Sequence, residues 1–293
     1  MIMEDFKYFA ASDVKQACAL LAQYGEEAKV LSGGQTLVNM MKQNLVMPSY
    51  LVDIKGLSDI SYIRYDGEAG LCVGSLTSHR TLEQSNIVKE KYPMLAEMEL
   101  NLASVAVRNW GTVGGNLCSA DPASDLAPCL MALGAELTLV CQDGERMILL
   151  EDFIVDSFET SIKPNEILTQ IRIPAKAPKS GGSHIKFARR ATDLGIVVVS
   201  SYLTLDDTVP GRCKDIRIAL GSIDPSPRRY KNAEDCVKCQ KISDPIIEKA
   251  AQAVFEDCQP TSDINGSADY KREVAKVMVR RSVKMAAARA GAC

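Results

Sequence analysis

The 293-residue chain contains no run of 18 uncharged apolar residues, only two histidines, one tryptophan and 5% aromatic residues. Without such a run no membrane-spanning helix is readable. The start, Met1-Ile2-Met3-Glu4-Asp5-Phe6-Lys7, lacks the basic flank and apolar stretch of a secretory signal, so a cytoplasmic location is expected. With 37 acidic and 34 basic residues the net charge is −3, and no excess of one sign points to nucleic acid or a membrane surface. His79 and His184 lie far apart, and Cys236-Val-Lys-Cys239 is the one close cysteine pair. A structural zinc or an iron–sulfur cluster wants four ligands, so no metal site is expected, and most of the ten cysteines read as buried free thiols. No Ser/His/Asp or Cys/His constellation stands out either.

What the chain does have is a 46% hydrophobic share, ordinary for a globular protein, and length for about two domains. Ser12 and Asp13 precede Val14, Ala17, Cys18, Leu21 and Tyr24 at helical spacing, with Gly25 as a C-cap. Strands are expected at residues 28–31, 50–54, 60–65, 70–74, 136–140, 146–150 and 167–173. Helices are expected at 37–42, 78–86, 89–107 and 126–133. Residues 174–182, rich in Pro, Gly and Lys, read as a linker. Beyond it come strands at 184–190, 196–205 and 215–221, then helices at about 232–240, 244–257 and 268–289. The last helix carries seven basic residues against Glu273. Val274, Val277, Met278 and Met285 would form its apolar stripe, and its cations would make either a solvated face or a surface for an acidic partner.

Two glycine turns carry the chemistry: Ser32-Gly33-Gly34-Gln35-Thr36 and Gly111-Thr-Val-Gly-Gly-Asn116. A phosphate needs close approach of backbone N–H groups, which side chains would block. Glycine removes the obstacle, while Ser32, Thr36, Thr112 and Asn116 add donors. Two such loops suit a pyrophosphate clamped from both sides. Neither is Gly-x-Gly-x-x-Gly nor a P-loop, so the expected ligand is a dinucleotide held by a fold other than Rossmann. Asp121 and Asp125 follow the second loop. At least one would accept from ribose or ribityl hydroxyls, and Asp121 could equally be an N-terminal charge on the helix at 126.

Val30-Leu-Ser-Gly-Gly-Gln-Thr-Leu37 resembles the first FAD-pyrophosphate loop of the flavoprotein (medium) subunits of molybdenum hydroxylases, such as the xanthine, carbon monoxide and nicotinate dehydrogenases. Arg108-Asn-Trp-Gly-Thr-Val-Gly-Gly-Asn-Leu117, followed by Ala120-Asp-Pro-Ala-Ser-Asp-Leu-Ala-Pro128, resembles their second loop. Val73-Gly-Ser-Leu-Thr77 and Glu166-Ile-Leu-Thr-Gln-Ile-Arg-Ile-Pro174 also fit. The resemblance implies an α+β protein. A PCMH/vanillyl-alcohol-oxidase-type FAD-binding domain would span residues 1–175, with α/β subdomains at about 1–55 and 56–175. A smaller domain of antiparallel strands and helices would span 183–293. It implies FAD contacts at Val30, Leu31, Ser32, Gly33, Gly34, Gln35, Thr36 and Leu37, and at Thr112, Val113, Gly114, Gly115 and Asn116. Further contacts would fall at Leu102, Asp125, Leu168 and Lys186, the lysine placing a cation near the flavin ring.

By the same resemblance the chain would be one subunit of a heterotrimer. A large subunit would hold molybdopterin, a small one two [2Fe-2S] clusters, and the flavin would pass electrons to an acceptor such as NAD(P)+. Many relatives carry an aromatic residue in the segment written here Arg190-Ala-Thr-Asp-Leu-Gly-Ile196, where this chain has Leu194 and Gly195, implying a more open flavin. The cysteine-rich insertion of the 4-hydroxybenzoyl-CoA-reducing subfamily is absent after Cys118. Rival readings are a standalone flavin reductase similar to UDP-N-acetylenolpyruvylglucosamine reductase and a redox-inactive nucleotide-binding scaffold. A covalent-flavin oxidase is disfavoured because neither loop contains His.

Overall fold

In the computed structural model residues 5–292 are described. The first layer is a parallel sheet in which the strand Tyr50–Asp53 lies between Lys7–Ala10 and Ala28–Leu31. Parallel neighbours need a crossover, and the helix Val14–Tyr24 supplies one, burying Ala17, Cys18 and Leu21. Asp13 caps this helix by accepting from the Gln16 N–H, and Gly25 ends it with φ of 55°. The strand Lys7–Ala10 has neither alternation nor flanking turn residues and is not foreseen from sequence.

A five-stranded antiparallel sheet follows, ordered Ile63–Asp66, Gly70–Gly74, Ile167–Ile173, Glu136–Cys141, Gly144–Leu149. Over it lie four short helices, His79–Gln84, Asn86–Lys91, Pro93–Asn101 and Val105–Trp110. The single helix expected over residues 89–107 is therefore broken twice. Pro93, lacking an N–H, starts a new helix after Tyr92, and Ala103 at φ 45° stops it before Ser104 caps the next through the Val107 N–H. Arg108 braces that corner by donating to the carbonyls of Leu102 and Ala103, each at 2.7 Å, and to Glu83 at 2.9 Å. The second glycine turn is likewise a helix, Val113–Ser119, capped by Thr112.

The third sheet, Ser180–Phe187, Val197–Leu205, Cys213–Gly221 and Arg228–Arg229, is antiparallel, and the helices Asp244–Asp257 and Ala268–Ala290 belong to its core. The expected linker is shorter than residues 174–182, because Ser180, Gly181 and Gly182 are strand residues. A Cβ on Gly181 would lie 2.4 Å from the Ala286 carbonyl oxygen, so glycine here permits contact between strand and terminal helix rather than flexibility. That helix buries small residues, among them Ala275, Ser282, Ala286 and Ala290, while Met285 is exposed, so the apolar stripe differs from the expected one. Its cations meet carboxylates of the same chain: Lys276 and Arg280 reach Glu248, Lys284 reaches Asp244 and Arg289 reaches Glu97. The basic face offered to an acidic partner is in this way largely neutralised. Replacing Gly181 by Ala is expected to cost about 1–3 kcal/mol through overpacking, read as a lower urea midpoint of the full chain.

Candidate flavin site

Between the parallel sheet, the helical layer and an arm of the third sheet lies a cavity of about 880 Å³, near the upper end of the range for small-molecule sites. The first glycine segment leaves the strand Ala28–Leu31 and enters the helix Leu37–Lys42. Gly34 takes φ of 71°, a left-handed conformation that glycine adopts freely. Among the described residues, the N–H groups of Gly33, Gly34, Gln35 and Thr36 have no partner within the chain. All four residues line the cavity. A row of free backbone N–H groups of this kind is able to cradle an anion.

The second segment works differently. The N–H groups of Val113, Gly114, Gly115 and Asn116 are already bonded, to Thr77 O, Ser75 O, Thr112 Oγ1 and Thr112 O. Its glycines exist for packing. A Cβ on Gly114 would lie 2.5 Å from that of Ser75, and one on Gly115 would lie 2.7 Å from Ser32 Oγ. Gly33 is of the same kind, since its Cβ would fall 2.2 Å from the Trp110 carbonyl oxygen. The expectation of two equivalent backbone clamps is corrected accordingly: one segment offers N–H groups, the other offers side chains. Thr112 Oγ1 donates to Ser32 Oγ at 3.1 Å, joining the segments across 80 residues. Ser124 donates to Asn116 Oδ1 at 2.7 Å, which leaves the Asn116 amide N–H groups without a partner among the described residues.

Of the other sequence candidates, Val30, Leu37, Leu102, Asp125 and Leu168 line the cavity. Leu31 and Val113 are buried and Lys186 is nearly so, and none of the three is part of the lining. The Lys186 ammonium is not a free cation beside the cavity. It donates to Asp125 Oδ2 at 2.8 Å, to the Asn101 carbonyl at 2.6 Å and to the Asp193 carbonyl at 3.1 Å. Asp125 Oδ1, buried, has no partner among the described residues, so it is an acceptor with capacity to spare. Asp121 does not charge a helix end; its Oδ1 accepts from the Ala123 N–H and closes a turn.

Sequence reasoning passes over several lining residues. His79 reaches the cavity from the first turn of its helix, and Phe158 and Ile162 close another side. Thr192, Asp193 and Leu194 approach from the third sheet, and Leu194 is 62% exposed. Cys118 also lines the cavity, its thiol pushed by burial up to about 12 and so protonated. The rarity of histidine was the one available signal for His79. Of the nine described cysteines only four are fully buried and Cys239 is exposed, so the thiols are less hidden than expected. Among the described residues no group of three or more His, Cys, Asp or Glu is placed to hold a metal ion, and no helix is long and apolar enough to cross a membrane.

The cradle, the unpartnered acceptor and the apolar walls of Leu102 and Leu168 fit a flavin dinucleotide, and the comparisons with known proteins agree. Residues 4–176 match the family described as FAD binding domain in molybdopterin dehydrogenase, and residues 184–286 match the CO dehydrogenase flavoprotein C-terminal domain. The chain belongs to this family of FAD-binding medium subunits of molybdenum hydroxylases, oxidoreductases with the α+β fold described above. It is 34% identical to the 6-hydroxypseudooxynicotine dehydrogenase complex subunit alpha of Paenarthrobacter nicotinovorans, over 97% of this chain and 95% of the relative. It is 32% identical to the carbon monoxide dehydrogenase medium chain of Afipia carboxidovorans, over 99% of each. The solved carbon monoxide dehydrogenase of Hydrogenophaga pseudoflava that lacks the Mo-pyranopterin moiety superposes with a TM-score of 0.94 at 33% identity, covering 99% of both chains.

Burial pushes the Asp125 carboxyl up to about 6, although the Lys186 ammonium pulls the other way. In the unfolded chain its value is the ordinary 3.8. Between these values the folded state binds the proton more tightly, so rising pH removes stability across that window. Urea unfolding of the flavin-free chain should show the wild type losing stability relative to Asp125→Asn from pH 3.8 to about 6.

Proposed function

We propose that this chain carries the flavin step of a multi-subunit molybdenum-dependent dehydrogenase. It would take electrons from [2Fe-2S] clusters on a small partner subunit and deliver them to an acceptor such as NAD(P)+, while a large molybdopterin subunit acts on the organic substrate. The observation that carries this reading is the row of four N–H groups at residues 33–36, without partners among the described residues, in a cavity that Thr112 and Asn116 also line. Bound FAD supplies the exchange between single electrons and electron pairs, and the protein supplies position and electrostatics.

The chain's own residues have separable tasks in this reading. The first segment holds the pyrophosphate through its N–H groups, and Thr36, Asn116 and Ser32, whose hydroxyl oxygen accepts from Thr112, add side-chain donors. Leu102 and Leu168 wall the cavity and keep water from the ring system. Asp125 Oδ1 accepts from the ligand, while Lys186 balances the carboxylate charge from behind. Leu31, Val113 and Lys186 support the site from outside the lining. Residues 1–175 form the FAD-binding unit, with subdomains at about 1–55 and 56–175, and residues 183–293 form the C-terminal domain. The parallel sheet and the five-stranded sheet fall within the two subdomains in support of that division, though the strand Ser180–Phe187 begins slightly ahead of the proposed boundary.

The full chain, purified after expression with large and small partner subunits, should be yellow and bleach with dithionite. Acid extraction should release FAD, and the partners should co-purify. Release of FMN, or a colourless protein, would overturn the dinucleotide assignment. Isolation as an active reductase without partners would overturn the subunit assignment.

A further inference from the structure

A second buried pair of titratable side chains, joined by hydrogen bonds, lies beside the cavity, and the proposed function leaves it without a task. His79 is 2% exposed and Glu99 0%, and His79 Nδ1 lies 3.0 and 3.1 Å from the two carboxylate oxygens. Those contacts are the only hydrogen bonds of the Glu99 side chain among the described residues. A buried carboxylate held by one ring nitrogen requires that nitrogen to carry a proton, which turns Nε2 toward other surroundings.

Those surroundings are the cavity. His79 is part of its lining, and Nε2 has no partner among the described residues. The backbone N–H of His79 donates to the Gly111 carbonyl at 3.0 Å. A Cβ built on Gly111 would stand 3.3 Å from His79 Cδ2 and 3.6 Å from Gln35 Cγ. The Nε2-bearing edge of the ring therefore sits at the seam where the two glycine segments converge, where the pyrophosphate is proposed to lie.

Charge counting points the same way. Glu99 is near enough to Asp125 to disfavour its charge, and Lys186 pairs with Asp125. Two carboxylates and one ammonium leave this buried group one positive charge short. Burying an uncompensated charge is costly, and an incoming diphosphate raises the demand for a cation. A proton on Nε2 meets both needs.

We infer that His79, held as an imidazolium by Glu99, is a further FAD-binding residue that donates from Nε2 to the pyrophosphate, with Glu99 as its positioning residue. The assignment rests on the cavity's holding FAD. It adds a cationic donor to a site whose other donors to the diphosphate are neutral.

The test uses the full-length chain stripped of flavin and titrated with FAD. One charge-assisted hydrogen bond sets the expected scale: His79→Gln should raise the FAD dissociation constant roughly ten- to hundredfold. The phosphorus-31 resonances of bound FAD should move in the variant, while its visible flavin spectrum should not. Glu99→Gln, which keeps side-chain size but removes the counter-charge, should weaken FAD in the same direction and serves if His79→Gln does not fold. An FAD dissociation constant within about twofold of wild type in the folded variants, or unmoved phosphorus resonances, would overturn the inference while leaving the flavin assignment standing. Failure of the wild type to bind FAD would overturn both.

Discussion

The carbonyl of Trp110 occupies the space that a side chain on Gly33 would need, 2.2 Å from the Cβ position. No residue but glycine permits that approach, and the site depends on it. The contact brings a loop of the parallel sheet against the entry to the helix Val113–Ser119, with the Ser32 and Thr112 hydroxyls in contact beside it. With the second segment packed on one side of residues 33–36, their N–H groups have no partner among the described residues, and all four residues line the cavity. Unsatisfied N–H groups held in place by packing are costly without a ligand and valuable with one.

Buried charge holds the cavity from the opposite side. Lys186, on the first strand of the third sheet, reaches across to Asp125 and to the Asn101 carbonyl. Desolvating such a pair is expensive, and removing one member alone is worse, because the other remains buried without compensation. The interaction therefore ties the third sheet to the cavity wall, next to the arm that contributes Thr192, Asp193 and Leu194. The same contact that borders the site also attaches the C-terminal part.

Much of this was legible in residue order. The helix Val14–Tyr24 is announced by its Asp13 cap and its Ala17, Cys18, Leu21 face, and Asp244–Asp257 has its expected bounds. The errors have local causes. Glycine at 114, 115 and 181 looks like turn or linker chemistry, whereas each accommodates a neighbour distant in sequence. The helix expected over 89–107 splits because Pro93 and the left-handed Ala103 override an apolar pattern that continues through both. Lys186 reads as a free cation until its three acceptors, on segments 7 to 85 residues away, are seen. The rarity of histidine marks His79 but gives it no task until Glu99 is placed against it.

Residue order alone determined where the glycine segments fall, which residues could donate to a diphosphate and that the chain is similar throughout to one flavoprotein family. Those properties are carried by composition and spacing, which exist before folding. Which donors stay free was decided only in the tertiary structure. Whether an N–H or an ammonium is available depends on what packs against it, and here the deciding partners come from other sheets and helices. Folding turned two similar glycine segments into one open cradle and one filled helix.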